Sequence, residues 1–328
     1  MEWKKFIILT KLKLKKVIII FLLLFIDIIY NFMISVKKKM KIRDSLNYKI
    51  SKFAIIFRKC PPCGLFSFFI TSLGCINTYY KKGYIPIINT KCYPNVLNGY
   101  NFRDNLWELF FEQPFGFTLN DVLKNADNVE YIRCDGANYQ PTDDILLDRV
   151  KVNFWHNFAK KFMPIKYNII ELSNRIMKKL FSNSNNILGV LIRGTDYVSK
   201  KPSLHPIQPK VDMVISDVKQ MDIKNNYDYI FFTTEDEKIR KKFIKEFSNK
   251  VKELHSFKLN YNYSSNNYLN FNEKIFGNIQ FNKQYLVNII ILSKCLDLVT
   301  SRCSGASGIL VLTNGFRFMK IYDLGVYK

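Results

Sequence analysis

The chain has 328 residues, enough for about two domains of ordinary size. Its 48% apolar and 15% aromatic content supplies a packed core and excludes global disorder. The 50 Lys and Arg against 27 Asp and Glu give a net charge of +23. These cations are spread along the chain without a zinc-finger, basic-leucine or RNA-recognition signature, so nucleic acid is not expected as a partner; an anionic membrane surface or phosphorylated substrates remain.

Residues 17–36 read VIIIFLLLFIDIIYNFMISV, 20 residues with Asp27 and Asn31 as the strongly polar members. At about 1.5 Å rise per residue such a helix crosses a hydrocarbon core of about 30 Å. The Asp costs roughly 3 kcal/mol on insertion scales, which the surrounding Ile, Leu and Phe offset. Lys11, Lys13, Lys15 and Lys16 precede it, and Lys37, Lys38, Lys39, Lys41 and Arg43 follow, so charge does not fix the orientation. The segment is expected to be a membrane anchor, single-pass or interfacial.

The seven cysteines are odd in number and irregular in spacing, which speaks against a disulfide framework. Cys60-Pro-Pro-Cys63 has redox-motif spacing, but no second pair completes a zinc site, so reduced thiols are expected. A catalytic domain facing the cytoplasm fits that usage.

From residue 51 helices and strands alternate. A buried helix is expected over 64–80, a short strand at 84–88, a helical turn at 107–111 and a strand at 129–134. One or two helices follow over 155–180. The polar run 181–186 marks a domain boundary. Beyond it, strands are expected at 187–193, 229–233, 251–254, 296–300 and 317–322. Helices are expected at 211–220, 236–247, 285–294 and 305–313, with a loop at 260–270. This alternation implies a parallel sheet covered on both faces, whose ligands bind beyond the C-terminal strand ends.

Three polar loops follow such strand ends. Arg193-Gly194-Thr195-Asp196 offers a planar guanidinium for phosphate oxygens, a glycine for close backbone approach, a hydroxyl and an acid; a turn closed by an Arg–Asp pair is the plainer alternative. In Thr233-Thr234-Glu235-Asp236-Glu237, Thr234 can cap the next helix with Glu237 as its capping-box partner, or Glu235 or Asp236 can bind a ribose or base. Arg302, Ser304, Gly305 and Ser307 open a helix with hydroxyls and free N–H groups, a natural anion site; a helix cap with small residues for close packing is the plainer alternative. His205 lies in the loop beyond Asp196 and is a candidate acid or base. The Trp107, Glu108 and Glu112 cluster combines aromatic surface with acids, suited to sugar stacking and hydroxyl binding, or to a core helix with solvated acids. No His/Glu spacing suggests a bound metal.

At these loops the second half resembles the α1,6-fucosyltransferases and nodulation fucosyltransferases. Their His-x-Arg-Arg-Thr-Asp motif followed by His-Pro-Ile looks like Leu191-Ile-Arg193-Gly-Thr195-Asp196 and His205-Pro206-Ile207. Their Ala-Thr-Asp-Asp run looks like Thr233-Thr234-Glu235-Asp236, and their Leu-Ser-Gln-Ala-Asp helix end resembles Leu292-Ser293-Lys-Cys-Leu-Asp297 before Cys303-Ser304. In the first half, Cys63-Gly64-Leu65 is similar to their Gly-Cys-Gly segment. The chain departs from the pattern at Leu191 in place of His, Gly194 in place of the second Arg, Asn288 in place of an acid, and Lys200-Lys201 in place of an acid that is a candidate catalytic base.

The resemblance implies an α/β fold of two Rossmann-like domains (GT-B-like), here with an N-terminal membrane helix. Together with the apolar segment and the boundary at 181–186, this gives an expected anchor over 1–44, an acceptor-side domain over 45–185 and a nucleotide-sugar-binding domain over 186–328. The activity implied is inverting transfer from a nucleoside-diphosphate sugar, with GDP-fucose the family's donor, to a glycan or lipid-linked acceptor. Arg193 and Ser304 would hold the diphosphate, and Asp196 or His205 would act as base. No cofactor or metal is called for. The competing expectation is a membrane-bound glycan- or nucleotide-binding protein that kept this fold without turnover.

Overall fold

The computed structural model describes residues 48, 51–59, 63–135, 141, 148–254 and 275–328. The expected membrane segment at 17–36 and the expected loop at 260–270 lie outside these residues. Among the described residues no helix is long and apolar enough to cross a membrane. Contacts separate Met1–Ser51 from Lys52–Lys328, and both sheets lie in the latter unit.

The first sheet has three parallel strands, β1 (Phe53–Phe57), β2 (Ile85–Ile88) and β3 (Val129–Arg133), in the order β2-β1-β3. The helix α1 (Leu65–Lys81) connects β1 to β2. Its residues Leu65 to Ile76 are nearly all buried, which suits a helix that is apolar around most of its circumference. Two short helices, α2 (Trp107–Phe110) and α3 (Leu119–Asn125), lie between β2 and β3. Thr118 caps α3 by accepting from Asp121 N–H. Two longer helices, α4 (Arg149–Phe162) and α5 (Tyr167–Phe181), lead out of this half. Asp148 caps α4, and Ser182 ends α5 in the left-handed conformation, at φ 48°. The expected 155–180 stretch is therefore two helices, broken at Met163-Pro164.

The second sheet has five parallel strands, β4 (Ile187–Leu191), β5 (Tyr229–Thr233), β6 (Val251–Lys252), β7 (Asp297–Ser301) and β8 (Phe318–Tyr322). Their order is β6-β5-β4-β7-β8. The chain steps one way from β4 and then crosses to the other side at β7, so the topological switch lies between β4 and β7. The helices are α6 (Thr195–Lys200), α7 (Val211–Asn225), α8 (Glu237–Phe247), α9 (Ile279–Leu292) and α10 (Ser304–Leu312).

Alternation along β4 explains the two cores. Ile187 and Leu191 face the large cluster shared with α1, α9 and α10, whereas Leu188 and Val190 face a second cluster with Val214, Val218, Phe232 and Phe243. Each large side chain sealed in this way contributes about 1.5–3 kcal/mol. Gly189 faces α9: a Cβ there would sit 3.1 Å from Leu292 Cδ2 and 3.2 Å from Cys295 Sγ. The large cluster also carries Phe66 and Phe69 of α1, so the two halves share one apolar interior.

Cys63 is disulfide-bonded, which corrects the expectation of reduced thiols at that motif. The five other described cysteines, 75, 92, 134, 295 and 303, are free.

Candidate active site

The site begins at the end of β4, the central strand. Arg193 follows it with a side chain only 18% exposed. Its Nη2 meets Asp196 Oδ1 at 3.1 Å and its Nη1 meets Glu235 Oε1 at 3.2 Å. The Tyr197 ring lies 4.8 Å from the guanidinium carbon. Burial by itself weakens the charge, but Glu235 and then Asp196 outweigh it and hold the guanidinium above its ordinary value.

The next two residues are fixed by the β5 loop. Glu235 Oε1 accepts from Gly194 N–H at 2.8 Å and from Thr195 Oγ1 at 3.1 Å, and Asp236 Oδ2 accepts from Thr195 N–H at 3.2 Å. These bonds hold Thr195 at φ 44°, a left-handed conformation that a β-branched residue rarely adopts. Gly194 is required by the same closeness. A Cβ there would lie 2.5 Å from Asp236 Oδ2 and 2.8 Å from Ile239 Cδ1. The glycine thus admits the neighbouring helix α8.

The capping expectation is also corrected. Asp236, not Thr234, caps α8, accepting from Lys238 N–H at 2.9 Å and Ile239 N–H at 3.2 Å. Thr234 Oγ1 instead accepts from Asp236 N–H at 3.2 Å. A carboxylate two residues nearer the helix is the stronger acceptor for these N–H groups. Glu237, the expected box partner, pairs with Arg240 at 3.3 Å. Glu235 and Asp236 therefore brace the Arg193 loop; neither projects freely toward a ribose.

The third loop comes from β7, next to β4. Cys303 is the N-cap of α10, its sulfur accepting from Ala306 N–H at 3.4 Å. Burial raises the Cys303 thiol, while the Ala306 N–H and the Arg193 charge pull the other way. The small residues here serve packing. A Cβ on Gly305 would lie 2.7 Å from the Tyr285 hydroxyl, and one on Gly308 would lie 2.1 Å from Phe66 Cδ1. Ser307 Oγ turns back to the Cys303 carbonyl at 3.4 Å, and Ser304 remains part-exposed at the helix start. Arg302 leaves the centre: its Nη1 meets Asp323 Oδ1 at 2.8 Å. Asn288 is 4% exposed on α9, and its Oδ1 finds no partner.

Two aromatic residues complete the centre and had not been singled out. Tyr197 covers Arg193, and burial pushes its phenol up to about 12. Tyr285 of α9 is raised by burial and by Cys303, with Arg193 opposing. Tyr197 is adjacent in sequence to Asp196 and could have been found there. Tyr285 lies some ninety positions on, and only folding brings it to Gly305.

His205 is exposed, with Nδ1 3.0 Å from the Ser203 carbonyl and its ring 5.5 Å from that of Tyr197. A carbonyl only accepts, so the neutral ring carries its proton on Nδ1 and leaves the Nε2 lone pair open. Asp196 is 4% exposed, and its Oδ1 already receives Arg193, Thr195 Oγ1 and Tyr197 N–H. Of the two candidate bases, His205 is the exposed one and Asp196 the buried one.

The proposed sugar-stacking cluster is not assembled. Trp107 is 0% exposed, stacked on Phe111 at 4.3 Å and beside Phe69. Its faces are filled, leaving no ring surface for a glycan. Glu108 Oε1 collects Asn105, Gln113 and Leu119 N–H, and Glu112 pairs with Lys166 at 2.9 Å. These acids tie loops together. Among the described residues no group of His, Cys, Asp and Glu is arranged to hold a metal ion.

The arrangement is a doubly wound α/β domain with polar loops gathered at the switch point, beside a smaller parallel α/β half: the layout of nucleotide-handling folds. No family model matches the sequence. No curated protein is similar to it in sequence. Among solved structures it is similar to the fucosyltransferase NodZ from Bradyrhizobium, at 10% identity and a TM-score of 0.50, covering 80% of this chain and 94% of that one. A selenomethionine form of the same enzyme gives 11% identity and a TM-score of 0.50 over 84% and 96%. POFUT1 in complex with GDP-fucose is also similar, at 8% identity and a TM-score of 0.49, covering 84% and 99%. The fold is thus fucosyltransferase-like and GT-B-like, as the motif resemblance implied.

Proposed function

We propose that the chain is a glycosyltransferase that takes a sugar from a nucleoside-diphosphate sugar, with fucose and GDP as the first choices. The observation that supports this most directly is the meeting of three strand-end loops around Arg193 on a fold shared with solved fucosyltransferases. In this reading an acceptor hydroxyl attacks the anomeric carbon from the face opposite the diphosphate. The carbon–oxygen bond to the diphosphate breaks, and the diphosphate leaves with the electron pair. Arg193 and the N–H groups at the start of α10 stabilise its charge. The acceptor proton goes to His205 Nε2. The acceptor is a surface or lipid-linked glycan, with residues 17–36 keeping the enzyme at a membrane and its catalytic unit facing the cytoplasm.

One observation favours a second reading, a non-catalytic binding protein on the same fold. Arg193 already has two carboxylates, so a diphosphate must compete with Glu235 and Asp196 for it. Thermal shift with a panel of nucleoside diphosphates, wild type beside Arg193→Ala, tests the donor site. Stabilisation by one nucleotide that is lost in the variant supports the site. Sugar-nucleotide hydrolysis without acceptor then separates turnover from binding. A well-folded protein that no nucleotide stabilises would remove the donor reading.

A further inference from the structure

His205 sits on a segment, residues 201–208, that belongs to no helix or strand. Two of its non-glycine residues are left-handed, Lys201 at φ 47° and Leu204 at φ 63°. The Leu204 side chain is 80% exposed, so its own packing does not hold the backbone there. Such a conformation persists only where surrounding bonds impose it, and the segment has two sets of them.

The first set is a short antiparallel pairing with residues 325–327. Leu204 N–H donates to the Tyr327 carbonyl at 2.9 Å, Tyr327 N–H to the His205 carbonyl at 2.9 Å and Ile207 N–H to the Gly325 carbonyl at 3.0 Å. This pairing ties the segment to the chain just beyond β8, at the edge of the sheet and two strands from β4.

The second set comes from one side chain. Gln208 is 8% exposed. Its Oε1 accepts from Ser301 Oγ at 2.5 Å, and its Nε2 donates to the Arg302 carbonyl at 3.2 Å and the Pro206 carbonyl at 3.0 Å. Carbonyls only accept, so the amide nitrogen must face them and the orientation of the amide is fixed. Ser301 ends β7, the strand beside β4, and Arg302 leads into Cys303, the N-cap of α10. Gln208 therefore joins the His205 segment to the strand end that carries α10. At the tip of the segment, the His205 ring lies 5.5 Å from that of Tyr197 at an angle of 80°, and Tyr197 covers Arg193.

We propose that Gln208 is a positioning residue: its amide sets the place of His205 relative to the start of α10 and to Tyr197. The inference rests on the donor reading given above, in which the diphosphate leaves beside Arg193 and α10 while His205 takes the acceptor proton. Attack and departure lie on opposite faces of one carbon, so the spacing between the base and the anion-binding groups matters. A misplacement of about 1 Å costs about 100-fold in rate. Without the Gln208 amide the segment stays paired with residues 325–327 but loses its link to the centre of the sheet.

The test compares the full chain in detergent as wild type, Gln208→Glu, His205→Gln and the double variant. Gln208→Glu keeps the size of the side chain and gives up both N–H donors, so that a carboxylate oxygen faces two carbonyls. Hydrolysis of GDP-fucose, and then of other nucleoside-diphosphate sugars, takes water as acceptor. Gln208→Glu is expected to lower its kcat by about 10–100-fold, with KM within about twofold, since the donor contacts are untouched. In the His205→Gln background the same change should cost less than about twofold, because Gln208 acts through His205. A merely structural role would instead lower the melting temperature and cost the same in both backgrounds.

A second readout is independent of turnover. The chain has three histidines, so the His205 ring protons can be assigned by their loss in His205→Gln. Their NMR shifts report the Tyr197 ring beside them, and they should move in Gln208→Glu. Because Gln208→Glu can fail to fold, Ser301→Ala removes one of the three bonds without burying a charge and should show both effects in milder form. His205 shifts that stay at wild-type values in the folded variants would overturn the proposal. So would an equal loss of kcat with and without His205. A wild type that hydrolyses no sugar nucleotide, with ring shifts that still move, would remove the donor reading and leave the Gln208 link standing.

Discussion

Glu235→Gln separates the two roles that the structure gives to Glu235. One oxygen of this residue receives Gly194 N–H, Thr195 Oγ1 and Arg193 Nη1. Gln keeps a carbonyl oxygen for these donors and removes the negative charge. At 3.2 Å and an effective dielectric near 20, the Arg193–Glu235 attraction is roughly 5 kcal/mol before desolvation is subtracted. Most of that is offset by the cost of burying both ions, and Asp196 still faces Arg193 in the variant. A net loss of about 1–2 kcal/mol follows, a fall in melting temperature of a few degrees. Diphosphate no longer competes with Glu235 for the guanidinium, so nucleoside-diphosphate affinity should rise about tenfold, equivalent to about 1.4 kcal/mol. Glu235→Ala should be worse on both counts, since Gly194 N–H and Thr195 Oγ1 lose their acceptor and the strained loop its brace. Calorimetric melting and nucleotide titration of the three proteins would measure both quantities. Weaker nucleotide binding in Glu235→Gln with normal folding would refute the competition and make Glu235 part of the donor grip.

Other expectations concern the frame that holds this site. Trp107→Ala should cost about 3–5 kcal/mol of stability by chemical denaturation, because it empties a fully buried position; a folded variant with selectively weakened glycan binding would restore the sugar-stacking role. Gly308→Ala forces a methyl into the Phe66 ring and should destabilise by about 1–3 kcal/mol, with partial rescue by Phe66→Leu in a double-mutant cycle; full additivity would deny the contact. Asp236→Ala should lose about 1 kcal/mol or more of cap energy in urea melts and Thr234→Ala much less, with the reverse order restoring Thr234 as the cap.

Asp297 predicts an acid-sensitive fold. Burial pulls its carboxyl upward, but Arg317, Tyr227 and the Phe318 N–H outweigh it and hold the group below its ordinary value. A carboxyl depressed in the folded state contributes stability above its unfolded pKa of about 4, and that stability is lost as pH falls through the lower folded value. Asp297→Asn should therefore flatten the acid limb of a stability–pH profile and lower stability at pH 7; an unchanged acid limb would exclude Asp297 as its source.

The order of elements after residue 51 was written in local patterns. The β-branched and aromatic run 229–233, the apolar alternation around 187–191 and the turn-rich 181–186 each specify their structure with little help from elsewhere. Arg193, Thr195, Glu235 and Asp236 were also legible as a group, because loops at the ends of adjacent parallel strands must meet. Side-chain direction was not legible. The Trp107 cluster has the composition of a sugar platform, yet Phe111 and Phe68 and Phe69 of α1 pack around its ring, and burial of this kind depends partly on residues far off in sequence. The choice of Asp236 over Thr234 as cap depended on where β5 ends and α8 begins, a matter of two residues that packing fixes. The sequence alone determined which loops carry polar chemistry and that they gather at one edge of a sheet. Tertiary structure decided what each polar group faces: Arg193 meets one carboxylate from its own loop and one from the neighbouring β5 loop, while Arg58 meets hydroxyls, a carbonyl and a sulfur. That difference arises because charge pairing is set by distances of a few ångströms between strands separated by tens of residues, which no local pattern encodes.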